Sequence, residues 1–213
     1  MTAFNYTVIK SRRRSLSVAV SAENKITVRC PLNCPDYKIE YFLNTKKDWL
    51  DKVIKKNAEK LSANDGLINH REIYVGGNKF PLVFSNKNAV TIQGVYVKNL
   101  KAIKKTFISA FGDGFLDIVE DLSQQLGLRA NGFFIKSYKS RWGCCDKSGN
   151  LYFNWMLFML SPELQRYVIV HELAHLVYFN HSEKFWRLVE KYEPDYKAIR
   201  KRLKTFDFLT HLY

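Results

Sequence analysis

In YVIVHELAHLVYFNHSEKFW, residues 167–186, His171, Glu172, His175 and His181 interrupt an otherwise apolar stretch. A helix turns about 100° per residue, so His171 and His175 would stand about 40° apart around its axis and one turn apart along it. Both imidazoles can then face one ion. Glu172 can reach a water on that ion without ligating it. This is the H-E-x-x-H pattern, in which two histidines hold Zn²⁺ and the glutamate takes the proton of the bound water.

The third ligand sets a harder geometric condition. On an unbroken helix His181 would lie about 240° beyond His175, on the wrong side of the axis. It can join the site only if the helix stops first. Asn180 is the expected stop, because Asn tolerates the left-handed turn that ends helices. Ser182 can then cap a second helix whose Phe185, Trp186, Val189 and Tyr192 pack inward. Glu190 and Glu193 stay open as alternative third ligands, since a downstream glutamate also suits zinc. Three protein ligands leave one position for water, the arrangement of a catalytic rather than a structural site.

These residues need elements to hold them. Ser161-Pro162-Glu163 has the residues of a helix start, and the helix is expected over about 162–179. A long apolar-periodic helix is expected over about 100–126, weakened by Gly112 and Gly114, each costing about 1 kcal/mol against alanine. Phe133–Tyr138 and Leu151–Asn154 read as strands joined by SRWGCCDKSGN. In that connection Arg141 is a candidate substrate-binding residue for a carboxylate or a developing oxyanion, against a simpler hairpin with Trp142 in the core. Upstream, residues 6–9, 16–20 and 26–29 suggest a small sheet, and 36–61 one helix with exposed lysines. Glu72–Val75, Phe80–Phe84 and Val90–Val97 read as a meander. The expected architecture is α+β. A basic, β-rich region over 1–100, with its helix at about 36–61, precedes a domain over 101–213 whose central helix packs on a small sheet.

Composition narrows the function. The chain has 213 residues, 46% of them hydrophobic, and a net charge of +14. Residues 1–105 hold 20 Lys/Arg against 8 Asp/Glu, net +12, while 106–213 hold 14 against 12, net +2. That field suits an acidic protein, a nucleotide or a nucleic acid as partner, or simply a solvated surface. No apolar run reaches membrane-spanning or signal-peptide length, so no membrane association is expected. Cys30-x3-Cys34 and the adjacent Cys144 and Cys145 suit neither a disulfide framework nor a second metal. Buried thiols in a reducing, cytoplasmic compartment are the expectation. Tyr178 and Tyr192 are expected to pack.

Taken together, KSRWGCC, GNLYFNWML, HELAHL, NHSEKFW and PDYKAIRKRL closely resemble the YgjP-like metallopeptidase family of the zincin-like superfamily, related to SprT-like and minigluzincin peptidases. SRRRSLSVAV, RCPLNCP and KKDWLDKVIKK extend the likeness over nearly the whole chain. The resemblance implies a zincin-like fold with His171, His175 and His181 as zinc ligands and Glu172 as catalytic base. It implies a zinc-dependent hydrolase acting on peptides or proteins. Cys144, where the family usually has Ser, and Gly112 and Gly114 depart from the pattern without touching the ligands. Two other readings stay open: a metal-dependent nucleotide (phosphoanhydride) hydrolase, and a DNA-associated protease of the kind the SprT-like likeness suggests.

Overall fold

The computed structural model describes residues 4–21 and 24–213, without the side chains of residues 60, 61, 63 and 211. The first three residues of the terminus read above as free of a targeting run therefore lie outside the described residues. The chain packs as two compact units, residues 1–68 and 69–213.

In the first unit β1 (Tyr6–Ser11), β2 (Ser17–Val20) and β3 (Ile26–Pro31) form a sheet of order β1-β3-β2, with β1 parallel and β2 antiparallel to β3. Side chains alternate across a strand, and Ile26, Val28 and Cys30 of the central strand all point into the core. The single helix expected over 36–61 is two, α1 (Asp36–Thr45) and α2 (Lys47–Ala63). Thr45 Oγ1 donates to the Phe42 carbonyl at 2.7 Å, and Lys46 leaves helical geometry at φ −105°, ψ 7°. A threonine hydroxyl competing for main-chain carbonyls accounts for the break. Ile39, Leu43 and Leu50 still reach one core. A short α3 (Asp65–Ile68) closes the unit.

The second unit begins with β4 (Glu72–Val75), β5 (Asn78–Phe84), β6 (Ala89–Thr91) and β7 (Gly94–Val97). Their order is β4-β5-β7-β6, with β5 parallel to β7, so the expected meander is not formed. The boundary anticipated near residue 100 would separate these strands from the core they share: Ile73, Leu82, Val95 and Val97 pack in one cluster with the rest of the second unit.

Helix α4 (Ala102–Leu126) buries Ile103, Phe107, Phe115, Val119 and Leu122. Its aromatic residues meet Phe153, Trp155 and Phe158 at ring separations of 5.4–5.8 Å. Gly112 lets Ile135 approach the helix closely. Strands β8 (Gly132–Lys136), β9 (Gly143–Cys145) and β10 (Asn150–Asn154) follow in the order β8-β10-β9; β8 is parallel and β9 antiparallel to β10. A buried 3-10 turn, Trp155–Met159, leads into α5 (Pro162–Ala174), and α6 (Glu183–Tyr192) and α7 (Tyr196–Leu203) complete the core. A second 3-10 segment, Lys204–His211, ends the fold.

Helix α5 is apolar around its circumference. Leu164, Tyr167, Val168, Ile169, Val170, Leu173 and Ala174 are all buried, as befits a helix enclosed by other elements. Its start is clamped from outside. Gly76 N–H and Gly77 N–H donate to the carbonyls of Phe158 and Met159, both at 2.9 Å, and a Cβ on Gly77 would meet Ser161 at 2.9 Å. Ser161 caps by its main chain alone, its hydroxyl making no capping bond. No helix of the described residues is long and apolar enough to cross a membrane.

Candidate metal centre

His171 and Glu172 project from the last turn of α5, where β9 runs alongside. The helix does not continue to Phe179. It ends at Ala174, with His175 as the capping position. His175, Leu176 and Val177 N–H groups reach back three residues, to Glu172, Leu173 and Ala174, tightening the last turn. Asn180 is not the stop: among the described residues only Asn24 and His70 are non-glycine residues with positive φ. The reversal is made five residues earlier. There the His175 ring meets the Tyr178 carbonyl through Nδ1 at 3.0 Å. A carbonyl can only accept, so His175 Nδ1 carries the proton and Nε2 keeps its lone pair.

The chain then returns His181 to the other two histidines. One nitrogen from each of His171, His175 and His181 lies within 4.8 Å of the others. The Nε2 atoms of His171 and His181 are 3.1 Å apart. Phe185 forms the floor, its ring 4.6–5.0 Å from all three imidazoles. It is placed by the first turn of α6, where the Ser182 hydroxyl accepts from Phe185 N–H. Trp186 stacks on His181 at 5.5 Å and 19°.

The electrostatics suit a cation. Burial, then the positive fields of His175, His181 and Arg200, hold His171 down to about 3. Burial also lowers His175 and His181. Neutral imidazoles with converging nitrogens are ligands in waiting. His171 Nδ1 is buried without a partner, and its Nε2 meets His181 Nε2, where either ring can be the donor. The three residues fit a divalent ion with nitrogen preference, such as zinc. Among the described residues they form the one group of three or more metal-ligating side chains. Glu193 instead pairs with Arg166 at 2.6 Å, and Glu190 is exposed; neither joins the cluster.

Glu172 is 5% exposed, and burial pushes it up to about 8, with Arg141 pulling the other way. Gly143 of β9 lies against it: a Cβ there would stand 2.7 Å from Glu172 Cγ and 2.9 Å from Oε1. Arg141 is exposed and sits over the Tyr138 ring at 5.7 Å. Asn154, itself buried, donates to the Tyr138 carbonyl at 2.9 Å and the Arg141 carbonyl at 3.0 Å, fixing that loop. Trp142 is in the core, its Nε1–H donating to Asp207. The four cysteines are free thiols; Cys145, beside Glu172, is pushed up to about 11 by burial first and by that carboxylate second. Tyr192 donates to the Leu126 carbonyl at 3.2 Å, a structural bond.

Sequence reasoning missed Gly143, Asn154, Phe185 as floor and the Tyr178 carbonyl. A glycine next to a buried tryptophan at the start of a strand is the one signal among them that spacing could have offered.

The family model described as YgjP-like, metallopeptidase domain, matches residues 14–206. The crystal structure of the metallopeptidase zymogen of Pyrococcus abyssi abylysin is similar to part of the chain. The identity is 31%, the match covers 43% of this chain and 92% of that one, and the TM-score is 0.40. A search of curated proteins found no match.

Proposed function

The chain belongs to the YgjP-like metallopeptidase family, with a zincin-like α+β fold and a metallopeptidase activity, and from that premise we propose that His171, His175 and His181 hold its zinc and Glu172 is its general base. When bound, the zinc acts as a Lewis acid on the scissile carbonyl and lowers the pKa of a water. Glu172 takes the proton of the attacking water and returns it to the leaving amine. A nearby divalent charge favours the carboxylate form that this base requires, against the burial that disfavours it. Arg141, exposed on a loop fixed by Asn154, would bind a substrate carboxylate or the developing oxyanion.

The convergence of three neutral imidazoles beside one buried carboxylate carries this reading. Glu172→Gln is expected to keep one zinc per chain while turnover of a peptide substrate drops about 10²- to 10⁴-fold. Metal analysis and peptide hydrolysis on the same preparation test it; a zinc-loaded, active Gln variant would refute the role.

Substrates are peptides or proteins, and the positive field of residues 1–105 favours acidic ones. Nucleotides and nucleic acids are the alternative partners of that field. Four free thiols suit a reducing, cytoplasmic setting.

A further inference from the structure

Trp186 has neighbours of different kinds. One is His181 of the metal cluster; the others are Tyr196, stacked at 5.2 Å and 12°, and the Arg200 guanidinium, 4.7 Å from its ring. Beyond it opens a cavity of about 290 Å³ lined by Trp186, Tyr196, Lys197, Arg200, Lys201 and Lys204. Four cations and no acid surround it. Among the described residues none of the four is in an ion pair, whereas Arg202, on the same helix, pairs with Glu163. Arg200 and Lys201 in the last turn of α7 and Lys204 at its C-cap gain from the helix dipole, but Lys197 stands in the first turn, where the dipole disfavours a cation, and the dipole does not explain why all four meet at one hollow. Like charges so grouped repel one another, and a bound anion relieves that cost.

We propose that this cavity is a substrate subsite for an Asp or Glu side-chain carboxylate of the peptide, held beside the metal centre through the shared Trp186 wall. The inference rests on the peptidase reading above. The 5.5 Å from His181 to Trp186 and the 4.7 Å from Trp186 to Arg200 leave the guanidinium within about three residues' reach of an extended chain. Trp186 and Tyr196 stack on each other, and the other four lining residues are cations, so positive charge is the main recognition chemistry on offer. That favours a carboxylate over a nucleobase-bearing ligand.

The test measures binding rather than turnover. Fluorescein-labelled peptides, one carrying Asp and Glu and one with Asn and Gln in their place, are titrated by anisotropy into zinc-loaded Glu172→Gln protein. The acidic peptide is expected to bind about tenfold or more tighter. Combining Lys201→Glu with Lys204→Glu should reduce that preference to threefold or less. The control pair Lys104→Glu with Lys105→Glu, an equal charge change on exposed α4, should leave it in place. Equal affinity for both peptides, no binding of either, or an equal loss in the control overturns the subsite, as does tighter binding of a single-stranded oligonucleotide at the same cavity. Hydrolysis of the neutral peptide by the zinc-loaded wild type reports separately on the peptidase reading, so the two failures cannot be confused.

Discussion

Glu172 is fitted against Gly143 with no room for a methyl group. Gly143→Ala would force the carboxylate aside or push β9 away, an overpacking cost of about 1–3 kcal/mol. Lower kcat with zinc content retained is the expected result, together with a lower Tm. An alanine variant with wild-type kcat and Tm would show that the contact is slack. Burial also gives the metal-free protein a pH signature. Glu172 rises from 4.5 to about 8, so between those values the fold holds a proton that the unfolded chain has released. Stability from this group is intact below about 4.5 and is lost as pH climbs through 8. His171 acts in the opposite sense: held at about 3 against 6.5, it costs stability as pH falls through that window. Metal-free Glu172→Gln should therefore melt above the wild type at pH 8–9, with the gap closing towards pH 4.5. A gap that does not change with pH would contradict the assignment. At this scale the sequence was highly legible, because the positions of His171, Glu172 and His175 follow from helical spacing alone.

Elements were harder to read, for reasons that lie in particular bonds. The stop before His181 was foreseen as a geometric need, yet it was placed at Asn180. The structure makes it at His175, with a side chain bonding to a carbonyl three residues on. Such a bond leaves no propensity signal. The break at Lys46 arises in the same way from Thr45. Strand order in β4–β7 was misread because the parallel pairing of β5 with β7 is decided by tertiary packing, not by turn residues. Helix α6 shows what an element contributes to the site: its first turn sets Phe185 under three imidazoles. Phe185 is fully buried, so Phe185→Ala should cost about 3–5 kcal/mol and, by freeing the rings above it, weaken zinc binding. Chemical denaturation and a zinc competition titration would measure the two effects; a destabilised variant with unchanged zinc affinity would remove the floor from the account.

Across the whole chain, charge and chemistry are segregated. Net charge of +12 falls within residues 1–105, while the histidines, Glu172 and the basic cavity lie after residue 140. The α+β class was evident from strands and helices of distinct period, whereas the division after Ile68 was not, because no proline- or glycine-rich linker marks it. Everything functional proposed above depends on His171, His175 and His181 sharing one zinc with a position left open. X-ray absorption of the zinc-loaded protein tests this most directly. Three imidazole nitrogens and one exchangeable light atom are expected, with one imidazole lost in His181→Ala. A sulfur neighbour, a fourth protein ligand, or a spectrum unchanged by His181→Ala would contradict it.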